Sequence, residues 1–273
     1  MIHAVNVAVT RAFDFLLVPF QFIDPRWGLF ALSVLMAFIV LYIYKWVSAP
    51  HLIKRTKDRI KANILAIRLY KDLWKVILLS FVKSLYYTLK YFGLNFGPVL
   101  ILLPLLFPLF VQMDIRYGMK PYRIGDEIVV KATFANGGIE GKEIRLLSDD
   151  HFKPLMNPVF IKPLNEVNWK LEARKNGVTQ VRIQVQDKVY EKNLVIGNVP
   201  GAVSNRKMRE SRWAHFLYPA EPLLPDRGDV ESISVHYPEN DLRVGIPMHW
   251  LVFNLIVVFG VVLAFKNKFG IEF

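Results

Sequence analysis

The sequence predicts an α-helical membrane protein with three transmembrane helices, N-out and C-in, carrying an extracytoplasmic all-β domain of immunoglobulin-like sandwich type. Three observations predict it. Residues 27–44 and 94–113 are uncharged runs of membrane-spanning length. Between them lie Lys45, Lys54, Arg55, Lys57, Arg59, Lys61, Arg68, Lys71, Lys75, Lys83 and Lys90, against only Asp58 and Asp72. A third apolar run, 246–265, follows a long segment of nearly balanced charge with short alternating stretches.

The bulk numbers agree. A chain of 273 residues allows one or two domains. It is 53% hydrophobic with a mean hydropathy of +0.28, too apolar for an ordinary soluble domain. The formal net charge is +12. Cations packed against apolar spans read by the positive-inside rule, so no DNA partner is expected. The chain has no cysteine, which excludes disulfides and thiolate ligands.

Residues 1–26 lack the tripartite pattern of a cleaved leader, so the first span is expected to stay in the protein. Within them, Phe13, Phe15, Leu16, Leu17, Val18, Phe20 and Phe22 form a run too short to cross a bilayer. It suits an amphipathic helix lying in the interface, stopped by Pro19 and Pro25. The first span, 27–47, ends on Lys45 and Trp46, an interfacial cation and aromatic. The basic stretch that follows is then cytoplasmic.

Residues 48–93 read as a cytoplasmic helical hairpin. Pro50 opens the first arm, with apolar residues on one side at helical spacing. The second arm is far more apolar, yet Lys75, Lys83 and Lys90 recur at seven- and eight-residue spacing along one face. A charge at a bilayer centre costs about 2.5–3.5 kcal/mol on insertion scales, so this arm is expected to lie in the interface. The second span, 94–113, holds Pro98, Pro104 and Pro108 and is expected to be an irregular, kinked helix.

Residues 114–200 read as the sandwich. The stretch 127–134 alternates before Asn136-Gly137-Gly138, a hairpin signal. Strands 168–173, 178–186 and 189–197 follow, with Asn176-Gly177 and Asp187-Lys188 as turns. Residues 201–245, rich in proline and charge, read as an extended connector, with a short helix at 211–217 and a strand at 233–237. The third span, 246–265, ends in a cytoplasmic tail, 266–273, that begins with Lys266 and Lys268.

No catalytic constellation emerges. The six histidines form no HExxH and no close pair, and no phosphate-binding glycine loop or GxSxG is present. No enzyme activity, metal or cofactor is expected.

The order of interfacial helix, span, basic hairpin, proline-bearing span and final span resembles the YidC/Oxa1 superfamily of membrane-protein insertases, especially its three-span archaeal and endoplasmic-reticulum branches. Local likenesses are FDFLLVPF, then WGLFALSVLMAFIVLYIYKWVSAPHLIKR, then LNFGPVLILLPLLFPLF. The resemblance covers residues 13–113 and the last span. It implies a groove between the spans, open to the cytoplasm, through which substrate segments pass. It puts Leu41 where bacterial members carry a groove arginine. Lys45 stands one turn nearer the cytoplasm, and Ser33, Tyr42 and Tyr44 would supply groove polarity. Lys54, Arg55, Lys57, Arg59, Lys61, Arg68 and Lys71 would meet ribosome, nascent chain or lipid headgroups. The expected function is membrane-protein insertion or chaperoning without nucleotide. The expected location is a prokaryotic plasma membrane, with the lipid bilayer and nascent membrane proteins or the ribosome as partners. The alternative is a non-catalytic accessory subunit of a larger membrane complex, docking on its other subunits through the β domain.

Overall fold

The computed structural model describes residues 2–20, 24–135, 139–197, 202–211, 214–225, 228–244 and 246–271. The chain divides into two compact units, one of Met1–Leu29 with Pro108–Trp250 and one of Phe30–Phe107 with Leu251–Phe273.

Four helices open the chain: α1 (Ile2–Leu17), α2 (Pro25–Val47), α3 (Pro50–Leu69) and α4 (Trp74–Tyr117). Near the C-terminus stand the one-turn α5 (Ala214–Leu217) and the long α6 (Trp250–Phe269). Three of them, α2, α4 and α6, are long and apolar enough to cross a membrane. In α2, Ala37, Leu41 and Tyr44 recur at three- and four-residue spacing and are buried, together with Leu102 and Val262. The opposite face, with Leu35, Phe38, Tyr42 and Trp46, is exposed.

The second span departs from expectation. Residues 74–117 form one helix of 44 residues, so the second arm of the hairpin and the second span are a single element rather than two. Pro98, Pro104 and Pro108 lie inside it. Each proline forfeits a single backbone bond, and each loss is flanked by intact turns of Leu, Ile and Phe. The turn of the hairpin falls at residues 70–73, where Leu73 N–H donates to Tyr70 O at 3.0 Å.

The β unit holds two antiparallel sheets over a shared core. The larger sheet runs β3 (Phe152–Pro154), β5 (Glu166–Ala173), β1 (Glu127–Phe134), β9 (Val230–Val235), β8 (Arg206–Met208), with β4 (Val159–Ile161) also on β5. The smaller runs β2 (Ile144–Leu146), β6 (Gly177–Val185), β7 (Lys188–Ile196). Strict alternation in β1 and β5 sends Val130, Trp169 and Leu171 inward, where they meet Ile183 and Leu194 of the smaller sheet. A hairpin of β10 (Asp241–Val244) and β11 (Ile246–His249) precedes α6, so the third apolar helix begins at Trp250 and ends at Phe269 rather than covering 246–265.

Two details differ from the sequence reading. The turn signal at 136–138 lies outside the described residues, and β1 pairs with β5 and β9, while the next strand, β2, joins the other sheet. Residues 201–245, read as a connector, supply β8 and β9, and β9 is an interior strand whose Val230, Ile233 and Val235 are wholly buried. The strand read at 233–237 overlaps β9, which begins three residues earlier, at Val230, and ends at Val235.

The outward edge of β7 is finished by side chains and a loop rather than by a strand. Glu221 Oε2 accepts from Asn193 N–H at 3.0 Å, and Tyr237 Oη accepts from Val195 N–H at 2.9 Å. Lys207 Nζ donates to Glu191 O at 2.7 Å, and Gly197 N–H donates to Tyr122 O at 2.6 Å. These residues alternate along one side of β7, the side that does not face β6. Lys192 and Glu221 form a buried ion pair behind this edge, with Lys192 Nζ also donating to Ser204 O at 2.6 Å. Burial pulls the Lys192 ammonium below the ordinary lysine value against the pull of Glu221.

Glu221→Ala should therefore destabilise the β unit by ~3–5 kcal/mol, because it leaves a buried ammonium unpaired. The double change Lys192→Met with Glu221→Leu should recover most of that loss. Thermal unfolding of the full chain in detergent, followed by strand circular dichroism, measures both.

Candidate functional site

The residues singled out above fall into two groups. The first is the face of α2. Ser33 and Leu41 are completely buried and Tyr44 nearly so, with its hydroxyl 3.5 Å from Asn95 Oδ1 of α4. Tyr42 and Lys45 are exposed on other sides of the same helix, and Tyr42 packs against the Trp46 ring at 6.2 Å. The five residues do not converge on one wall. Leu41, which the resemblance sets where a groove arginine would stand, is enclosed by apolar side chains of α2, α4 and α6.

The second group is the basic hairpin. Lys54, Arg55, Lys57, Arg59, Lys61, Arg68 and Lys71 are all exposed. The arm packs through Ile53 and Thr56, whose hydroxyl returns to Leu52 O at 2.7 Å, leaving the cations to solvent. At the tip, Ile67 of α3 and Trp74, Ile77, Leu78 and Phe81 of α4 line an apolar cavity of about 340 Å³. The Lys75 ammonium lies 5.9 Å from the Trp74 ring centroid, within cation–π range. The tip thus joins an apolar concavity to a field of positive charge.

Two more polar features stand on the helices, and sequence reasoning passed over the first. Asn254, in the second turn of α6, is completely buried; its Nδ2 is 3.8 Å from Met36 Sδ, and its Oδ1 has no partner among the described residues. A polar residue in an apolar span is itself the signal that would have found it. Gln112 belongs to a network on Arg116. Arg116 donates to Gln112 Oε1 at 2.5 Å and to the Asp14 carboxylate of α1, and Gln112 Nε2 donates to Thr10 Oγ1 at 2.9 Å. Gly28 sits where a Cβ would stand 2.7 Å from the Tyr117 hydroxyl, so a larger residue there would require the Tyr117 side chain to shift.

In the β unit, Asp149 accepts from His151 N–H at 2.8 Å and contacts Nδ1 of the same ring at 2.8 Å, beside an open polar cavity of about 360 Å³ lined by Thr179, Gln180, Arg182 and Asn193. Burial would raise the Asp149 carboxyl, but hydrogen bonds from His151 and Thr179 outweigh it and hold the group below its ordinary 3.8. Among the described residues no group of three His, Asp or Glu side chains is placed to hold a metal.

Comparison with protein-family models, with curated proteins and with solved structures returns no match.

Two outcomes follow from this geometry. Leu41→Arg should sharply reduce accumulation of folded protein in membranes, since an unpaired charge among apolar spans costs about 2.5–3.5 kcal/mol, whereas Tyr42→Arg should accumulate normally. Because the folded-state pKa of Asp149 is depressed, its stabilising contribution is complete above 3.8 and is lost as pH falls through the folded value. Asp149→Asn should flatten that acid limb in pH-dependent unfolding.

Proposed function

We propose that this chain is a membrane-protein insertion or assembly factor of the YidC/Oxa1 kind, embedded in a prokaryotic plasma membrane with its N-terminus outside and its C-terminus inside. The observation that carries this reading is the hairpin of α3 and the first half of α4. It exposes every cation expected to meet a ribosome, nascent chain or lipid headgroup, and its second arm runs without a break into an apolar span. The energy would come from partitioning of the substrate segment and from the membrane potential, with the basic hairpin raising the local concentration of anionic partners.

The β unit lies on the extracytoplasmic side in this orientation. Its strand order supports an immunoglobulin-like sandwich. Taking β1 as strand B, the succession β2, β3 with β4, β5, β6, β7 follows C, D, E, F, G, with D-E-B in one sheet and C-F-G in the other. The place of strand A is filled from the other end of the chain by β9.

A second reading, a non-catalytic accessory subunit docking through the β unit, is favoured by one observation: Leu41 is packed in an apolar core at the position where a polar groove is expected.

Reconstitution decides the first reading. Liposomes containing the chain should insert short-tailed single-span substrates faster than empty liposomes. Replacing Lys54, Arg55, Lys57, Arg59 and Lys61 by Gln should remove most of that gain. Equal insertion with and without the chain would sink the proposal. Depletion in cells separates the two readings, since broad loss of small membrane proteins supports insertion and loss of one complex supports the subunit.

A further inference from the structure

The outward face of α4 carries a repeat. Trp74, Leu85, Phe96 and Phe107 stand 11 residues apart, and each of the first three is followed by Leu or Phe four and seven positions on. These ten side chains form one stripe of α4, and each is between 43% and 67% exposed. Lys75, Lys83 and Lys90 stand off the stripe, at positions one, nine and sixteen residues beyond Trp74. An 11-residue apolar period is 3.67 residues per turn, the signature of a right-handed supercoil with a helix of the same period.

The stripe extends over about 50 Å at 1.5 Å per residue, while a hydrocarbon core is only ~30 Å thick. Lipid therefore covers part of it at most. A face turned only to lipid would switch to polar residues on leaving the bilayer, and this face does not. What covers it must be apolar along the same length, on both sides of the membrane boundary and at the same depth. Two copies inserted in the same orientation meet that demand by symmetry, since a two-fold axis along the bilayer normal sets α4 against α4 in register. Ten large apolar side chains, each about half exposed, represent roughly 1,000 Å² per copy, so covering both buries on the order of 2,000 Å², the range of stable interfaces.

We infer that the chain pairs with a second copy of itself through a parallel, right-handed coil of the two α4 helices, running from the tip of the basic hairpin into the membrane. The pairing rests on α4 crossing the bilayer, as proposed above, and is independent of the insertion activity. It also closes the apolar cavity beside Trp74, Leu78 and Phe81 against the partner copy.

The absence of cysteine makes the test direct. Single cysteines are placed in the full chain by Leu85→Cys and Phe92→Cys on the stripe, and by Lys83→Cys and Lys90→Cys off it. Native membranes are then oxidised. A disulfide-linked species of twice the 31.6-kDa chain should form at 85 and 92 several-fold more than at 83 and 90. Equal yields at all four positions, no dimer at 85 and 92, or an adduct of any other mass there would overturn the pairing. Alkaline carbonate extraction of the same membranes keeps the two failures apart. Retained protein without dimer defeats the pairing alone, and released protein defeats the membrane reading beneath it. In detergent, native mass measurement should give a dimer for the parent chain and a monomer for Leu85→Lys with Leu89→Lys.

Discussion

A peptide group in hydrocarbon must find its hydrogen bond within its own segment, and α4, long and apolar enough to cross a membrane, is built to meet that constraint. The helix stays whole through three prolines and 44 residues. Because it is whole, the basic arm and the apolar half are one element with a continuous helical register. The apolar stripe continues from Trp74 to Phe107, while the lysines beside it end at Lys90. A hinge near Gly93 would have uncoupled the two halves.

The β unit answers the same requirement by other means. Its larger sheet gains β9 from a distant part of the chain, so the sandwich closes only after nearly all of that unit has been made. Such non-local pairing is slow, because loop closure precedes its reward. The buried Lys192–Glu221 pair then fixes the loop containing Glu221 against β7, and with it the groups that finish the strand's margin.

Much of this architecture was legible in the sequence because its signals are local. Apolar run length marked the helices, cation clustering marked the hairpin, and alternation marked β1, β5, β6 and β7. The hairpin turn before β7 was readable from Asp187-Lys188, and there Gln186 takes a φ of 53°. What failed was non-local. Asn136-Gly137-Gly138 looks like a two-strand turn, but partner choice is decided by which sheet needs an inward face, and β2 crosses to the other one. A strand was legible at 233–237, but nothing local in that proline-rich stretch announces that β9 lies between β1 and β8 inside the larger sheet. The prolines of α4 suggested a break because propensity counts them singly, whereas continuity depends on the intact turns around each. Among the candidate site residues, the hairpin cations are exposed, as their charge led one to expect. Ser33, Leu41 and Tyr42 scattered because a resemblance fixes positions along a helix but not which face its neighbours cover.

The margin of β7 has a consequence beyond stability. A strand whose Glu191 carbonyl and Asn193 and Val195 amides are already engaged by Lys207, Glu221 and Tyr237 gives a stray chain little to pair with. In a crowded compartment full of half-folded polypeptides, such a border works as an insulator. It lets a sheet-rich module stand close to unfolded neighbours without seeding fibrils or swapping strands with them.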